Sequence, residues 1–337
     1  MPDLSGRRVL LVVATSTGGV GRHVQSLAAG LAAAGAAVQV AGPASTRAVF
    51  AFASYAVVEI GAAPHPVRDA AARLALRRLA GEVDVVHAHG LRAGALAPGR
   101  QPLVVTWHNA QLSGSRLGGL LERYVARRAT VTLAASEDLV RQARACGAPD
   151  VRLAPVAAPG LAPTGADPAL GRPLVLAVGR LHPQKGYDVL LEALPLIGEA
   201  VVAVAGDGPL AAELAQRAPQ VRWLGRRTDV ADLYAAADVV VLPSVWEARS
   251  LTAQEALRAG RPLVATDVGG IRDLVGDGAV LVPPGDPAAL GAAVRRLLDD
   301  PAAAVALAAR GSAVAATWPT EQDTVDQVAD VYRELLG

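Results

Sequence analysis

Short apolar runs of strand length recur along this chain, separated by longer segments whose apolar positions repeat at the helical period. In the first half the runs fall at Val9–Ala14, Ala36–Ala41, Tyr55–Ile60, Asp84–His89, Leu103–Trp107 and Val131–Ala135, with helical patterns such as Gly21–Ala34 and Asp69–Ala80 between them. A stretch rich in Pro, Gly and Ala, Ala157–Pro173, interrupts this alternation and reads as a linker. The pattern then restarts. Strands are predicted at Leu174–Val178, Val201–Ala205, Val221–Leu224, Val239–Leu242, Leu263–Thr266 and Ala279–Val282, and helices at Tyr187–Ile197, Pro209–Ala218, Ala248–Ala259 and Ala288–Leu298. Two further helical segments, Pro301–Ala316 and Thr320–Leu336, have no strand after them. Alternation of this kind predicts an α/β fold with two doubly wound, Rossmann-like parallel sheets, at residues 1–158 and 173–316 about a 159–172 linker, and residues 317–337 as a helix crossing back to the first domain. Ligands in such folds bind beyond the C-terminal strand ends, so the expected site is a cleft between two facing domains.

Composition agrees. At 337 residues the chain can form two cores, and 52% hydrophobic content with only 3% aromatics suits buried strands and alanine-rich helices. The single cysteine, Cys146, excludes an internal disulfide and a cysteine zinc site, and reads as a small buried side chain on a helix. The run after Met1–Arg8 is too short for a signal sequence, and no apolar run approaches a membrane span, which gives the expectation of a cytoplasmic protein. The net charge of +1 conceals an asymmetry: residues 1–160 hold 17 bases and 9 acids (+8), and residues 161–337 hold 15 bases and 22 acids (−7). A basic half suits an anionic or phosphorylated partner as well as simple solubility.

The candidate chemistry lies at strand ends. Thr15-Ser-Thr-Gly-Gly-Val-Gly-Arg-His23 is a glycine-rich turn opening a helix, a place for an anion or a close-approaching substrate. The second strand ends Ala41-Gly42-Pro43 without the acid that a dinucleotide ribose needs, and no GxxxxGK[ST] phrase exists, so NAD and P-loop readings fall away. Histidines cluster at Asp84-Val-Val-His-Ala-His89 and Thr106-Trp-His-Asn109, where a structural donor role competes with a functional one. A carboxylate at a matching spacing is lacking, so no metal is assigned to them.

Of the 32 basic residues only Lys185 is lysine, and it sits in Gly179-Arg-Leu-His-Pro-Gln-Lys-Gly186 directly after a predicted buried strand. A compact ammonium beside the planar fork of Arg180 suits a diphosphate. Farther on, Pro243-Ser-Val-Trp-Glu247-Ala-Arg-Ser-Leu-Thr-Ala-Gln-Glu255 puts two carboxylates eight residues apart across a loop and a helix start, able to bracket one polar ligand.

This E-x7-E phrase, the VGRLHPQKG loop, Gly206-Asp-Gly-Pro209 and the early GGVGRHV together resemble the retaining glycosyltransferases of family 4, in the right order over nearly the whole chain. The resemblance implies a GT-B fold, a nucleotide-sugar donor (a UDP- or GDP-sugar) on the C-terminal domain, an acceptor mainly on the N-terminal domain, and no required metal or other cofactor. It implies that Arg180 and Lys185 neutralise the diphosphate, that Glu255 holds the ribose, that Glu247 meets the sugar hydroxyls, and that Gly206, Asp207 and Gly208 lie near the nucleotide. His108 would lie near the anomeric centre, and Gly18 and Gly19 would approach the donor. His23, His89, Asn109 and Arg249 are the remaining candidates for acceptor or sugar contacts. The implied activity is transfer of a hexose-type sugar to a lipid-linked or cell-surface glycan, in polysaccharide biosynthesis; a small-molecule acceptor, or a non-catalytic nucleotide-sugar-binding role, stays open beside it. Nucleic acid is not an expected partner.

Two features modify the picture. The family usually follows its first glutamate with a glycine-flanked step, whereas here Glu247 precedes Ala248-Arg249-Ser250; Arg249 either reads an anionic substrate group or turns outward, and the outward reading is preferred. The segment Ser115–Ala129 interleaves Arg116, Arg123, Arg127 and Arg128 with Leu117, Leu120, Leu121, Tyr124 and Val125. Such a helix can rest on an anionic membrane at the inner face. The preferred reading is a leucine stripe facing the core, with the arginines solvated.

Overall fold

Runs of Val, Leu and Ala that are apolar on both faces can only be stable where helices cover both sides of a sheet, and the chain builds two such sheets. The computed structural model describes residues 3–109 and 116–337. By internal contacts the chain divides into Met1–Ala157 with Pro319–Gly337, and Ala158–Trp318.

In the first unit, β1 (Arg8–Val13), α1 (Gly19–Ala33), β2 (Ala37–Gly42), α2 (Ala44–Arg47), β3 (Tyr55–Val57), α3 (Pro66–Ala80), β4 (Val85–His89), α4 (Leu91–Leu96), β5 (Leu103–Trp107), α5 (Arg116–Arg128), β6 (Val131–Ala134), α6 (Glu137–Ala145) and β7 (Val151–Leu153) follow in order. The seven strands run parallel in the order β3-β2-β1-β4-β5-β6-β7. The outer strands are shorter than predicted or were missed. β3 ends at Val57 rather than Ile60, and β7 has too few apolar residues to show a period. α3 starts three residues before its apolar pattern because Pro66 stands at its first position and His65 caps it, accepting from Arg68 N at 3.4 Å.

The second unit contains β8 (Leu174–Val178), α7 (Tyr187–Ile197), β9 (Val201–Ala205), α8 (Ala211–Arg217), β10 (Arg222–Gly225), α9 (Val230–Ala236), β11 (Val239–Leu242), α10 (Leu251–Arg258), β12 (Leu263–Thr266), α11 (Ile271–Val275), β13 (Val280–Val282), α12 (Pro287–Asp299) and α13 (Pro301–Ala315). Its six parallel strands are ordered β10-β9-β8-β11-β12-β13. The preceding segment is irregular but anchored: the Asp232 carboxylate accepts from Thr164 N, Thr164 Oγ1 and Gly165 N at 2.8–3.0 Å. α10 begins at Leu251, not Ala248, because Ser250 caps it and accepts from Ala253 N at 3.3 Å.

The last helix, α14 (Glu321–Leu336), opens with a capping box between Thr320 and Asp323 and belongs to the first unit. Val325, Val328, Ala329 and Tyr332 share a core with Val24, Leu27 and Leu31 of α1. Gly30 makes that approach possible, since a Cβ there would lie 2.4 Å from the Val325 side chain.

Candidate functional site

In the second unit the loops leaving β8, β9 and β11 are locked together at the C-terminal edge of the sheet. Gly206 follows β9 so closely against β8's exit that a Cβ on it would lie 1.9 Å from Gly179 O, and one on Gly208 would lie 2.4 Å from Leu181 O. Leu181 N donates to Asp207 O at 2.9 Å. Side chains larger than hydrogen would force these loops apart, so the glycines of the Gly206–Gly208 turn are required by the backbone packing itself. Asp207 is exposed, its carboxylate turned back to accept from Gly208 N at 2.7 Å.

Lys185 ends a single 3-10 turn, Pro183–Lys185, and Gly186 follows in the left-handed region at φ 61°, pressed against Pro243. Gln184 ties this turn to the loop after β11: its carbonyl accepts from Val245 N at 2.8 Å and its side chain donates to Trp246 O at 3.0 Å. The ammonium is thereby set against Glu247, with Lys185 Nζ donating to Oε1 at 2.5 Å and Ser244 Oγ donating to the same oxygen at 2.8 Å. Glu255, on α10, is also buried, and Tyr234 OH donates to its Oε2 at 3.0 Å. Burial and the Glu255 charge push the Tyr234 phenol well above its usual range, so it remains a donor. The residues predicted as a diphosphate cation and two bracketing carboxylates therefore share one edge of the sheet. Arg180 is exposed on the same loop as Lys185.

Arg249 corrects the sequence reading. Its side chain does not turn outward: Nε and Nη2 are buried without hydrogen-bond partners, and the guanidinium lies 5.8 Å from the Trp318 ring centroid. Burial, with Arg258 nearby, pushes its pKa down to about 10. The pattern misled because arginine beside a loop glutamate is usually solvated, whereas here the indole of Trp318 offers an apolar shelf.

In the first unit, Gly18 caps α1 and leads into its exposed first residue, Gly19; a Cβ on Gly18 would meet nothing within 4 Å. The turn is built by Ser16, whose hydroxyl accepts from Gly21 N at 2.9 Å while its own N donates to Thr46 Oγ1 at 3.0 Å. One helical turn on, His23 points into a cluster with His87 and His89 of β4 and His108 after β5, all buried. His89 Nδ1 and His108 Nε2 are 3.2 Å apart, and the His23 ring packs edge-on to both. Burial lowers all four pKa values, His23 to about 4 and His87 to about 3, so these imidazoles are neutral at pH 7. His87 plays the structural part, bonded to Tyr332 OH and Thr106 Oγ1 at 2.6 Å each. Asn109 is exposed at the end of the described segment.

α5 is a second correction. Leu117, Leu120 and Tyr124 are exposed, by 79%, 58% and 43%, while Gly118, Glu122, Val125 and Ala126 face inward. Ser115, the predicted start of this helix, lies outside the described residues. The leucine stripe faces away from the core, and Val125 on the other side packs against α4 at Gly94, where a Cβ would lie 2.8 Å from the Val125 side chain. Beside it, α3, α4 and α5 enclose a groove of about 440 Å³ whose lining includes Arg73, Arg92, Leu96, Leu121 and Tyr124.

Residues 172–300 match the model of glycosyl transferases group 1, and residues 17–157 match that of Glycosyltransferase Family 4. The chain is 32% identical to the phosphatidyl-myo-inositol mannosyltransferase of Mycobacterium leprae over 83% of this chain and 84% of that one. It belongs to glycosyltransferase family 4. Among other relatives of the family, the alpha-D-kanosaminyltransferase of Streptomyces kanamyceticus is 32% identical over 49% of this chain and 46% of its own length. The match spans about half the length of several such curated relatives. In fold the chain is similar to an Anabaena protein solved in complex with UDP-glucose, with a TM-score of 0.81, 20% identity, and coverage of 97% of this chain and 100% of that one. The two Rossmann-like sheets are those of the GT-B architecture. Sequence reasoning had missed the residues that hold the carboxylates: Ser244 lies inside the quoted phrase and was legible as a loop hydroxyl, while Tyr234, on a short helix 21 residues before Glu255, carried no local signal.

Proposed function

We propose that this chain is a retaining glycosyltransferase that moves a hexose-type sugar from a UDP- or GDP-sugar to a hydroxyl of a lipid-linked or cell-surface glycan, at the cytoplasmic side of a membrane and without a required metal. The observation that carries the reading is the Lys185–Glu247 pair beside the Tyr234-held Glu255 at the C-terminal edge of the second sheet. In the free protein the Lys185 ammonium is occupied by Glu247. A donor diphosphate offers it a more highly charged partner, and the exchange frees the Glu247 carboxylate for the sugar hydroxyls. Arg180, exposed on the same loop, adds the second cation, so fixed positive charge meets the charge developing on the leaving group. Glu255 takes the ribose hydroxyls.

The transfer is proposed to occur on one face of the sugar. The anomeric carbon–oxygen bond to the diphosphate breaks, the acceptor oxygen bonds to the same carbon, and the acceptor proton passes to the leaving phosphate oxygen. The products are the nucleoside diphosphate and a glycoside of unchanged anomeric configuration, with neutral His108 beside the reacting centre. The likeness to the phosphatidyl-myo-inositol mannosyltransferase supports a lipid-linked acceptor. So does α5, whose exposed Leu117, Leu120 and Tyr124 are flanked by Arg116, Arg123 and Arg127, a pattern suited to an anionic bilayer surface. Among the described residues no helix is long and apolar enough to cross a membrane.

Thermal unfolding with UDP, GDP, ADP and dTDP tests the donor reading. One nucleotide should raise the melting temperature by the equivalent of about 2.7 kcal/mol at 100 times its dissociation constant. No stabilisation by any of the four would count against the donor site. NMR of the product from the matching donor tests retention, and an inverted anomer would overturn the front-face step. Sedimentation with phosphatidylglycerol vesicles tests α5: binding should be lost in Leu117→Asp/Leu120→Asp.

A further inference from the structure

We propose that His23, His89 and His108 form a binding site for a transition-metal dication of the Zn2+ class, and that its occupation removes His108 from the transfer reaction. The three rings come from different elements, the first turns of α1, the last residue of β4 and the residue after β5, yet each brings a ring nitrogen within 4.8 Å of the others. Tetrahedral zinc with nitrogen ligands at about 2.0–2.1 Å places neighbouring ligand atoms about 3.4 Å apart. His89 Nδ1 and His108 Nε2, at 3.2 Å, already stand at that spacing. His23 need close by at most about 1.4 Å to reach the same spacing.

The chemistry of the donor set points the same way. Metal ligation uses imidazole nitrogens, and the three that meet here are all buried side chains. His89 Nδ1 is the nitrogen turned to His108, so the buried, unpartnered Nε2 of the same ring is not a ligand atom. His87 is not a fourth ligand, since Tyr332 and Thr106 occupy both its nitrogens; stacked on His89 at 4.3 Å, it fixes that ring's orientation instead. Three imidazoles and one open position favour Zn2+, Cu2+ or Ni2+ over Mg2+ or Mn2+, which prefer oxygen. The sequence reading rejected a metal for want of a carboxylate; the fold brings in His23, separated from the other two by more than sixty residues, and three imidazoles form a sufficient set.

The binding half of this inference stands alone, and only the inhibition rests on the proposed transferase activity. The experiment uses the full chain with any affinity tag removed and metal stripped by a chelator, titrated with Co2+. One equivalent should give the intense visible bands of four-coordinate cobalt, bleached by one equivalent of Zn2+ and unaffected by Mg2+. Losing an outer-shell partner alone costs about 10–100-fold in affinity, so loss of a ligand in His23→Ala or His89→Ala should cost at least about 100-fold. His65→Ala/His182→Ala, which removes the histidines outside the cluster, should bind as wild type. No four-coordinate spectrum in the wild type overturns the site without reference to any variant's folding. Equal binding by a folded His23→Ala/His89→Ala protein overturns its location. In the transfer assay, Zn2+ should inhibit the wild type at near one equivalent, and the inhibition constant should rise at least about tenfold in His23→Ala relative to that variant's own zinc-free rate. Tight binding with undiminished transfer would overturn the inhibitory half. Nucleotide-induced stabilisation reports on the donor site separately, so the two readings fail independently.

Discussion

Replacing Lys185 by methionine separates what the ammonium does for the fold from what it does for the donor. In the free protein the Lys185 side chain is 20% exposed and that of Glu247 9%, with 2.5 Å between Nζ and Oε1. Removing one partner of a fully buried pair costs about 3–5 kcal/mol because the other charge is stranded. Partial solvent access and the remaining hydrogen bond from Ser244 reduce this to about 1–3 kcal/mol. At about 2–4 °C per kcal/mol for a unit of this size, the melting temperature should fall by roughly 3–10 °C. Lys185→Met/Glu247→Gln should recover most of that loss, since neither charge is then unpaired. Transfer should not recover. Losing a preoriented donor to developing charge costs about 2.7–4 kcal/mol, or a factor of about 10²–10³ in kcat. Differential scanning fluorimetry with and without the stabilising nucleotide, alongside the transfer rate, reads both effects. A Lys185→Met protein that turns over within threefold of the wild type, or gains as much from the nucleotide, would refute the assignment of Lys185 to the diphosphate.

Tyr234→Phe removes the buried hydroxyl bonded to Glu255 and should cost about 1.5–3 kcal/mol, read as lower stability and a raised KM for the donor; an unchanged KM would separate Glu255 from ribose binding. Arg249→Met should stabilise the free protein. Burial lowers the guanidinium's pKa to about 10, and the charged form of a base so shifted is penalised by folding at every pH below that value, the penalty fading only as pH rises beyond it toward the ordinary arginine range. At about 1.36 kcal/mol per unit, less the contact with Trp318, the gain should be about 1–3 kcal/mol at pH 7, and a lower melting temperature would refute the account of Arg249 as an uncompensated buried charge. Gly186→Ala should cost more than about 3 kcal/mol, because its Cβ would lie 2.0 Å from Pro243 O at φ 61°, whereas Gly225→Ala, at φ 62° with nothing within 4 Å, should cost only about 1 kcal/mol; equal melting temperatures would show that strain, not the clash, dominates.

The central strands were legible because a parallel strand covered on both faces must be apolar throughout. β5 and β8 fall on their predicted residues, Leu103–Trp107 and Leu174–Val178. At the sheet edges that requirement lapses, and β7, a three-residue strand containing Arg152, leaves no periodic trace. Helix starts moved wherever a cap overrode the apolar period, at His65-Pro66 and at Ser250. On α5 a leucine stripe signals an amphipathic helix but not which face is inward. The close approach of Val125 to Gly94 on α4 lies on the other face, a contact that a hydrophobic period does not encode.

The candidate site was legible to the extent that its residues are near one another in sequence. Glu247, Glu255 and Ser244 lie within one loop and helix start, and Lys185 stands out as the only lysine. What was not legible is which group each one meets. Tyr234 reaches Glu255 from another helix, and His23 reaches His89 and His108 from another element. The histidine group depends on sheet order, since β1 lies beside β4, and β4 beside β5, which brings the residues at their C-terminal ends together at one edge; the Tyr234–Glu255 pair depends on α9 and α10, which precede and follow β11. The same dependence explains Arg249. Its neighbour Trp318 is 69 residues away, just after α13, so a side chain read as solvated has two guanidinium nitrogens buried without hydrogen-bond partners.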